Sequence, residues 1–173
     1  QYELGEKYAY LQETIDWYSG SFSRESLAVD GGLNVARVLS PFHSNPEICL
    51  PNEHPLGCEI RIFNPSIVIV SLEENWESRT AEEYEGYLRK IIEYLIDQGV
   101  VPILATKADN LEGDHHINLV IANLSQEYEI PLWNFWRAVQ PLPNHGLQKD
   151  LFHLTIAGSF FNDERHMQAS WPW

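Results

Sequence analysis

The chain has 173 residues, 44% of them hydrophobic, which is the size and composition of a globular domain that can bury its own core. Its formal net charge of −14 at pH 7 argues against nucleic acid as a partner, because no basic stripe is present to displace counterions from phosphates. Insertion into a membrane is also disfavoured, since no apolar run is long enough to span a bilayer. Small neutral molecules and sugars remain open as ligands, and the sequence does not indicate an oligomeric state.

Both ends of the sequence suggest that it is part of a longer chain. It begins at Gln1 without a basic-then-apolar leader, and it finishes with bulky aromatic side chains at Trp171 and Trp173. We therefore predict one domain over residues 1–173, truncated at both ends.

The chain opens with a predicted helix. Apolar side chains recur at helical spacing over residues 6–18, and Ser19-Gly20 supplies a stop. Ser21 and Ser23 follow in the same loop. None of these serines comes after a buried strand in a strand-to-helix elbow, so we interpret them as loop residues rather than nucleophiles.

A strand, a glycine turn and a second helix are predicted next. Residues 27–29 form the strand, Gly31 lies in the turn, and residues 34–39 form the helix. Such an arrangement places backbone N–H groups at a helix N-terminus, which suits an anion or a developing oxyanion. A Gly-Gly pair is more often only a turn, and the GxGxxG pattern of a dinucleotide site is absent.

The two cysteines, Cys49 and Cys58, flank a turn-rich segment. A pair this close can close a short disulfide loop in an oxidising compartment, which favours a secreted or periplasmic protein. The alternative is two free, partly buried thiols. Zinc is poorly supported, because His54 alone between two cysteines matches no usual ligand spacing.

An unbroken β-branched run at residues 67–70 predicts the strand around which the fold is organised. The run is too short for a buried helix and suits an interior strand of a parallel sheet, covered on both faces. Polar residues follow directly, among them Glu74 and Asn75. They lie where binding sites form in open α/β sheets, beyond the carboxyl ends of the strands.

A capped helix and a second buried strand follow. Thr80 is the predicted N-cap, with Glu83 as its capping-box partner, and the helix ends at Gly99. Residues 100–105 form the next strand. Its end is again polar, and the residues there that we expect near the same cleft are Lys107, Asp109 and Asn110.

The alternation of strands and helices continues towards the end of the chain. Apolar side chains between Ile117 and Tyr128 recur at helical spacing, residues 130–135 form a short strand, and residues 136–146 form a Pro-rich loop. This order predicts an α/β fold with a mainly parallel sheet and helices on both faces.

Asp150 and His153 lie three residues apart, beside this loop. One turn of chain can then present both side chains, so that the carboxylate holds the imidazole through Nδ1–H and leaves Nε2 as a general base. An Asp-x-x-His sequence on its own is more often a surface pair. The pair indicates a catalytic site only if an oxyanion donor and a nucleophile lie nearby.

In three blocks the chain resembles the SGNH (GDSL-type) esterases and lipases. The family has four conserved sequence blocks. In this chain the segment SLAVDGGLNVARVL resembles the second block, IVIVSLEENW resembles the third, and KDLFHLT resembles the last. The resemblance covers nearly the whole chain in order and spacing, and it implies a three-layer α/β/α sandwich of flavodoxin-like type. It also implies Asp150 and His153 as catalytic acid and base, with the Gly31 N–H and the Asn75 side chain as oxyanion donors.

The chain departs from the family pattern in two places. The third block has Glu73 where glycine is usual and Trp76 where aspartate is usual. The first block, a Gly-Asp-Ser motif after the first strand, is absent, and Gly113-Asp114 continues into histidine instead. We expect the nucleophilic serine upstream of Gln1, or a relative that has lost catalysis.

Two other groups of residues are weaker candidates. Adjacent histidines point in different directions, so a metal site is not expected at Asp114, His115 and His116. Aromatic side chains next to a strand are usually core, although a sugar-stacking platform would use residues such as Tyr128, Trp133 and Trp136.

Two functions follow from these observations. The first is a serine esterase without metal or organic cofactor that cleaves an ester, such as an acyl group on carbohydrate, with Glu74, Lys107, Asp109 and Asn110 as substrate-binding residues. The second is a non-catalytic module of the same fold that binds carbohydrate or builds an extracellular assembly.

Overall fold

The computed structural model describes residues 5–21, 24–72 and 80–155. The chain divides into two compact units, Gln1–Asn64 and Pro65–Trp173. The single domain expected over residues 1–173 stays a prediction. Within the described residues, no helix is long and apolar enough to cross a membrane.

The first unit opens with the predicted helix. A 3₁₀ segment, Glu6–Leu11, continues into α1, Gln12–Trp17. No side chain in these two described helices is buried, and Trp17 is 82% exposed. The helical spacing therefore gave the conformation correctly, although the apolar stripe is not part of a core in the described structure.

The strand predicted at residues 27–29 and the helix predicted at residues 34–39 are wrong. Residues 27 and 28 form a turn, and only the 3₁₀ segment Arg37–Leu39 is helical. The backbone here is satisfied by side chains: the Glu59 carboxylate accepts the N–H of Leu27, and Asn34 Oδ1 accepts the N–H of Ala36. Such local bonds compete with regular structure.

A helix that the sequence reading missed, α2, spans Pro55–Phe63. His54 caps it by accepting the Gly57 N–H at Nδ1 (2.9 Å), and Pro55 occupies the first helical position. The helix ends at Asn64, which has a left-handed conformation with φ of 43°. Proline and glycine were interpreted as loop residues, whereas their positions fit the start of a helix.

The predicted disulfide between Cys49 and Cys58 is confirmed, and it ties the preceding loop to α2. Glu53 lies within 4.8 Å of both sulfur atoms, a grouping that could suggest a metal site. The sulfur atoms are bonded to each other, however, so they do not offer the thiolates that a metal such as zinc binds.

Reduction of the disulfide is expected to destabilise the first unit. Removing a short native cross-link typically costs about 2–4 kcal/mol, which for a unit of this size lowers the melting temperature by roughly 10 °C or more. Thermal unfolding followed by circular dichroism, with and without a phosphine reductant, measures this. The Cys49→Ser/Cys58→Ser variant should melt at the lower temperature and be insensitive to reductant. Equal melting temperatures for the oxidised and reduced protein would contradict the prediction.

The His54 cap makes the first unit sensitive to mild acid. Burial lowers the pKa of His54, an effect partly opposed by the Glu53 carboxylate, and Nδ1 can accept the Gly57 N–H only while it is unprotonated. The unfolded chain therefore binds this proton more readily than the folded one. The stabilisation that the His54 cap provides should be fully present above pH 6.5 and should be lost as the pH falls through the lowered pKa of His54. His54→Asn keeps a capping oxygen without titrating, so its melting temperature should vary less between pH 7 and pH 5.

The second unit contains the predicted parallel sheet. Its three strands are β1 (Ile67–Val70), β2 (Val101–Ala105) and β3 (Leu132–Trp133), in the order β1-β2-β3. Both strand pairs are parallel, with Ile67 opposite Val101 and Ala105 opposite Trp133. The described structure thus confirms an α/β fold with a parallel sheet.

Two helices connect these strands. The first, α3 (Ala81–Asp97), carries the predicted capping box between Thr80 and Glu83, and the second, α4, is His116–Glu127. Both pack against β2 and against each other, which places them on the same face of the sheet. Their buried side chains form most of the core: Tyr84, Leu88, Ile91, Ile92, Leu95, Ile117, Val120, Ile121 and Leu124.

The prediction that β1 is covered on both faces is wrong for the described structure. Val70 is buried towards the helices, whereas Ile67 and Ile69 are 59% and 56% exposed. In the described sheet β1 is also an edge strand, since it pairs only with β2. An all-β-branched run indicates a strand, but it does not reveal how many layers cover that strand.

A short helix completes the unit. Asn134 Oδ1 caps α5 (Phe135–Val139) by accepting the Arg137 N–H, and Thr106 Oγ1 accepts the Trp136 N–H. These two bonds fix the start of α5 beside the end of β2.

Candidate functional site

The carboxyl ends of β1 and β2 open into a pocket of about 180 Å³ in the second unit. Its polar side chains come from the residues that follow the strands, and its apolar side chains come from α5 and from the loop at residues 147–155. The lining residues are Ser71, Thr106, Lys107, Ala108, Asp109, Phe135, Phe152 and Leu154. The pocket lies where polar strand ends predicted a cleft.

The loop that closes this pocket is shaped by its own hydrogen bonds. Leu147 and Leu154 form an antiparallel bridge, and the Gln148 N–H donates to the His153 carbonyl oxygen at 2.7 Å. Within the loop, Asp150 Oδ1 accepts the backbone N–H groups of Phe152 and His153 at 3.1 and 3.0 Å. The carboxylate therefore organises the turn that presents His153.

Asp150 also contacts the imidazole of His153. Its Oδ2 lies 2.7 Å from Nδ1, so that with the proton on Nδ1 the ring donates to the carboxylate and Nε2 is left as an acceptor. This hydrogen bond, with those from the backbone of Phe152 and His153, lowers the pKa of Asp150 to about 2. Both side chains are exposed, at 48% and 66%. The carboxylate is thus ionised at any pH at which the imidazole acts as a base.

The residue that precedes His153 connects the imidazole with the pocket. The Phe152 ring, which lines the pocket, meets the His153 ring edge-on with centroids 4.8 Å apart. The Asp150–His153 pair therefore contacts a residue of the pocket lining, although neither member of the pair lines the pocket itself. The spacing of an Asp-x-x-His sequence alone does not show that a pocket lies nearby.

A buried ionic cluster forms the base of the same pocket. Lys107 Nζ lies 2.9 Å from Asp109 Oδ1 and 2.7 Å from Glu112 Oε2, and all three side chains are less than 10% exposed. Asn118 fixes the lysine backbone, because its amide accepts the Lys107 N–H and donates to the Lys107 carbonyl. Among the described residues Glu112 Oε1 is buried without a hydrogen-bond partner. The cluster carries one excess negative charge, which disfavours an anionic ligand.

The remaining predicted site residues fall in different places. Asn110 shapes the following loop, since its Oδ1 accepts the His115 N–H at 2.9 Å. Gly31 belongs to the first unit, where its N–H donates to the side chain of Asp30 at 2.7 Å. Glu74 and Asn75 lie outside the described residues.

The weaker candidates have separate partners in the second unit. His116 pairs with Asp114 at 2.6 Å, whereas the His115 ring packs edge-on against Trp136. Trp133 contacts Phe135, and the Tyr128 hydroxyl binds Glu93 and Arg89. Each of these side chains therefore contacts a different neighbour in the described structure.

Sequence reasoning missed the pocket walls and Glu112. Phe135, Phe152 and Leu154 have nothing in their local pattern that indicates a cleft, because their position depends on α5 and the loop meeting the strand ends. Glu112 offered a weak signal, a carboxylate five residues after a lysine at a strand end.

Comparison with known proteins adds no relative. No protein-family model matches the chain, and no curated protein matches it significantly. The geometry of the site and the resemblance of its sequence blocks therefore provide the support for a function.

Proposed function

We propose that the chain belongs to an SGNH-type esterase that cleaves an ester, such as an acyl group on carbohydrate. The observation that carries this proposal is the hydrogen bond between Asp150 Oδ2 and His153 Nδ1, in the loop whose Phe152 and Leu154 line a pocket formed by strand ends. Such a pair prepares an imidazole to remove a proton from a hydroxyl group. The pocket's aromatic walls and the ion pair of Lys107 with Asp109 in its lining favour a neutral substrate over an anionic one.

In the proposed reaction a serine hydroxyl attacks the ester carbonyl. Nε2 of His153 takes the hydroxyl proton and then returns it to the leaving alcohol, while Asp150 keeps the ring oriented and stabilises the imidazolium. A water molecule hydrolyses the acyl-enzyme with the same imidazole as base. The resemblance assigns the oxyanion donors to the Gly31 N–H and the Asn75 amide. Asp30 must release the Gly31 N–H for this role.

The serine belongs to the family's first block, which the resemblance implies before the Gly31 block. We assign it to natural sequence preceding Gln1. Within the described residues β1 pairs only with β2, and this supports the assignment, because a further parallel strand can pair with the other edge of β1 and end beside Ser71, which lines the pocket. The proposed complete fold is the three-layer α/β/α sandwich of the family.

The proposed location is extracellular or periplasmic. Disulfide bonds persist in oxidising compartments and are rare in the cytosol, and Cys49–Cys58 is such a bond.

A second candidate is a carbohydrate-binding module of the same fold without catalysis. The hydrogen bond from the Gly31 N–H to Asp30 favours it, since an amide already bonded within its own turn is not available to an oxyanion. Both candidate functions use the same pocket, but only the esterase would convert a bound ester to products.

Turnover of acetyl esters separates the two candidates. The protein, expressed with any natural sequence that precedes Gln1, is incubated with p-nitrophenyl acetate and with an acetylated methyl glycoside. Esterase function predicts saturable release of acetate from both. Binding of the glycoside, measured by calorimetry, without acetate release would support the second candidate and contradict the first.

A further inference from the structure

Apolar atoms supply most of the surface that the pocket at the strand ends offers to a ligand. Phe135 contributes from α5, where it packs against a buried apolar cluster, and Phe152 and Leu154 contribute from the loop that carries His153. The cluster consists of Ala108, Val139 and Leu147. A group bound against these walls is held by the removal of its carbon atoms from water rather than by hydrogen bonds.

The polar side chains of the lining already bond to other groups of the protein. The Lys107 ammonium lies between two carboxylates, one of them Asp109, whose Oδ1 also accepts the Leu111 N–H at 3.2 Å. Thr106 Oγ1 accepts the Trp136 N–H at 3.0 Å. A sugar ring binds through its hydroxyl groups and would compete with these bonds, whereas an apolar group leaves them in place.

The volume of the pocket limits the size of the group that it can enclose. At about 180 Å³ it is slightly larger than an engineered protein cavity of about 150 Å³ that binds benzene. Complete drug-sized ligands occupy pockets of about 300–1,000 Å³. The pocket therefore encloses a group of about six carbon atoms, and a longer chain would extend into solvent.

We propose that this pocket binds the acyl group of the ester, and that the acyl group is neutral and contains up to about six carbon atoms. The inference rests on the proposed esterase, because it divides the substrate of that enzyme into an acyl chain inside the pocket and an alcohol outside it. Phe152 and Leu154 flank His153 in the sequence and both line the pocket. An acyl chain packed against them lies beside the loop of the proposed base.

A series of p-nitrophenyl esters tests the proposed acyl group, with acetate, butyrate, hexanoate and decanoate as substrates. The protein is expressed with any natural sequence that precedes Gln1, and each kcat/KM is divided by the rate of hydroxide hydrolysis of the same ester. Burial of two further methylene groups should raise this ratio about tenfold from acetate to butyrate. Hexanoate and decanoate should differ by less than about threefold, because the additional methylene groups remain in water. A flat series, or a gain that continues to decanoate, would overturn the inference and leave the esterase standing.

Substitution of Leu154 shows whether the pocket sets this preference. Leu154→Phe fills the pocket and should remove the advantage of butyrate over acetate, whereas Leu154→Ala enlarges it and should extend the gain beyond hexanoate. The Leu154 side chain is 47% exposed, so neither change should prevent folding. Leu119→Phe, at a leucine of α4 that is 58% exposed, is the matched control and should keep the wild-type series. A wild-type series in both Leu154 variants would overturn the inference.

Binding of an amide separates failure of this inference from failure of the esterase. N-Methylhexanamide carries the same acyl group without an ester bond, and its affinity can be measured by NMR titration. Saturable binding that Leu154→Phe weakens at least about tenfold would support the acyl pocket even if no ester were hydrolysed. Displacement of the amide by an equal concentration of methyl glucoside would instead assign the pocket to the sugar. That result, or no binding of the amide, would overturn the inference.

Discussion

Replacing His153 with alanine is expected to reduce kcat/KM for p-nitrophenyl acetate by at least about 100-fold, with KM nearly unchanged. General-base catalysis contributes typically 10²–10⁴-fold, and the imidazole is the base in the proposed reaction. The His153 side chain is 66% exposed and its Nδ1 contacts the exposed carboxylate of Asp150, so its removal should leave the fold intact. Initial rates and melting temperatures of both proteins measure this.

The chain offers a matched control in a second Asp–His pair. His116 Nδ1 lies 2.6 Å from Asp114 Oδ1, but His116 belongs to the first turn of α4 rather than to the loop in which the His153 ring contacts Phe152 of the pocket lining. His116→Ala should therefore retain wild-type turnover, while Asp150→Asn should lie between wild type and His153→Ala, because the ring loses its orienting carboxylate. Equal loss of activity in His116→Ala and His153→Ala would remove the catalytic assignment.

Replacing Lys107 with methionine is expected to cost about 3–5 kcal/mol of stability, the usual effect of removing one partner of a buried ion pair. The lysine ammonium is 5% exposed and lies between two buried carboxylates. Without it, Asp109 and Glu112 face each other as unpaired like charges. Urea unfolding monitored by circular dichroism measures the change in the free energy of unfolding.

A compensating substitution distinguishes charge from packing in this cluster. Lys107→Met/Glu112→Gln removes one of the two carboxylate charges and should recover part of the lost stability, whereas a packing defect would persist. Lys90→Met, at an exposed position on α3, is the control and should change stability by less than about 0.5 kcal/mol. If Lys107→Met unfolds at the same urea concentration as Lys90→Met, the cluster does not stabilise the fold.

The sequence predicted those elements whose conformation depends on local pattern. The β-branched run of β1 and the Thr80–Glu83 capping box are complete within a few residues, and both are present. The Cys49–Cys58 disulfide is similar, because a sequence separation of nine across a turn-rich segment keeps the two sulfur atoms close. In each of these cases the physical cause lies within one stretch of sequence.

The elements that were missed depend on contacts distant in sequence. Leu27 was expected in a strand because of its composition, but its N–H donates to Glu59, 32 residues away. The start of α2 resembled a loop because proline and glycine were read as turn residues rather than as first-turn helix residues. Coverage of the sheet likewise depends on layers that a strand's own residues do not encode.

In the candidate site, too, the local features could be predicted from the sequence and the features that depend on distant contacts could not. The Asp150–His153 hydrogen bond follows from a spacing of three residues and could be predicted. The place of the neighbouring Phe152 in a pocket lining could not be predicted, because the pocket requires α5 and two strand ends to meet. Lys107 and Asp109 were predicted from their position after a buried strand, and both line that pocket. Their enclosure with Glu112 depends on the loop that follows.

Covalent labelling with a fluorophosphonate tests the central claim most directly. In this reaction an activated serine oxygen bonds to phosphorus and displaces fluoride, and the modified residue is located by peptide mass spectrometry. For the protein with any natural sequence preceding Gln1, the account predicts one adduct per chain on a single serine, formed at least about 100-fold more slowly in His153→Ala. No adduct, or an adduct formed equally fast in His153→Ala, would contradict it.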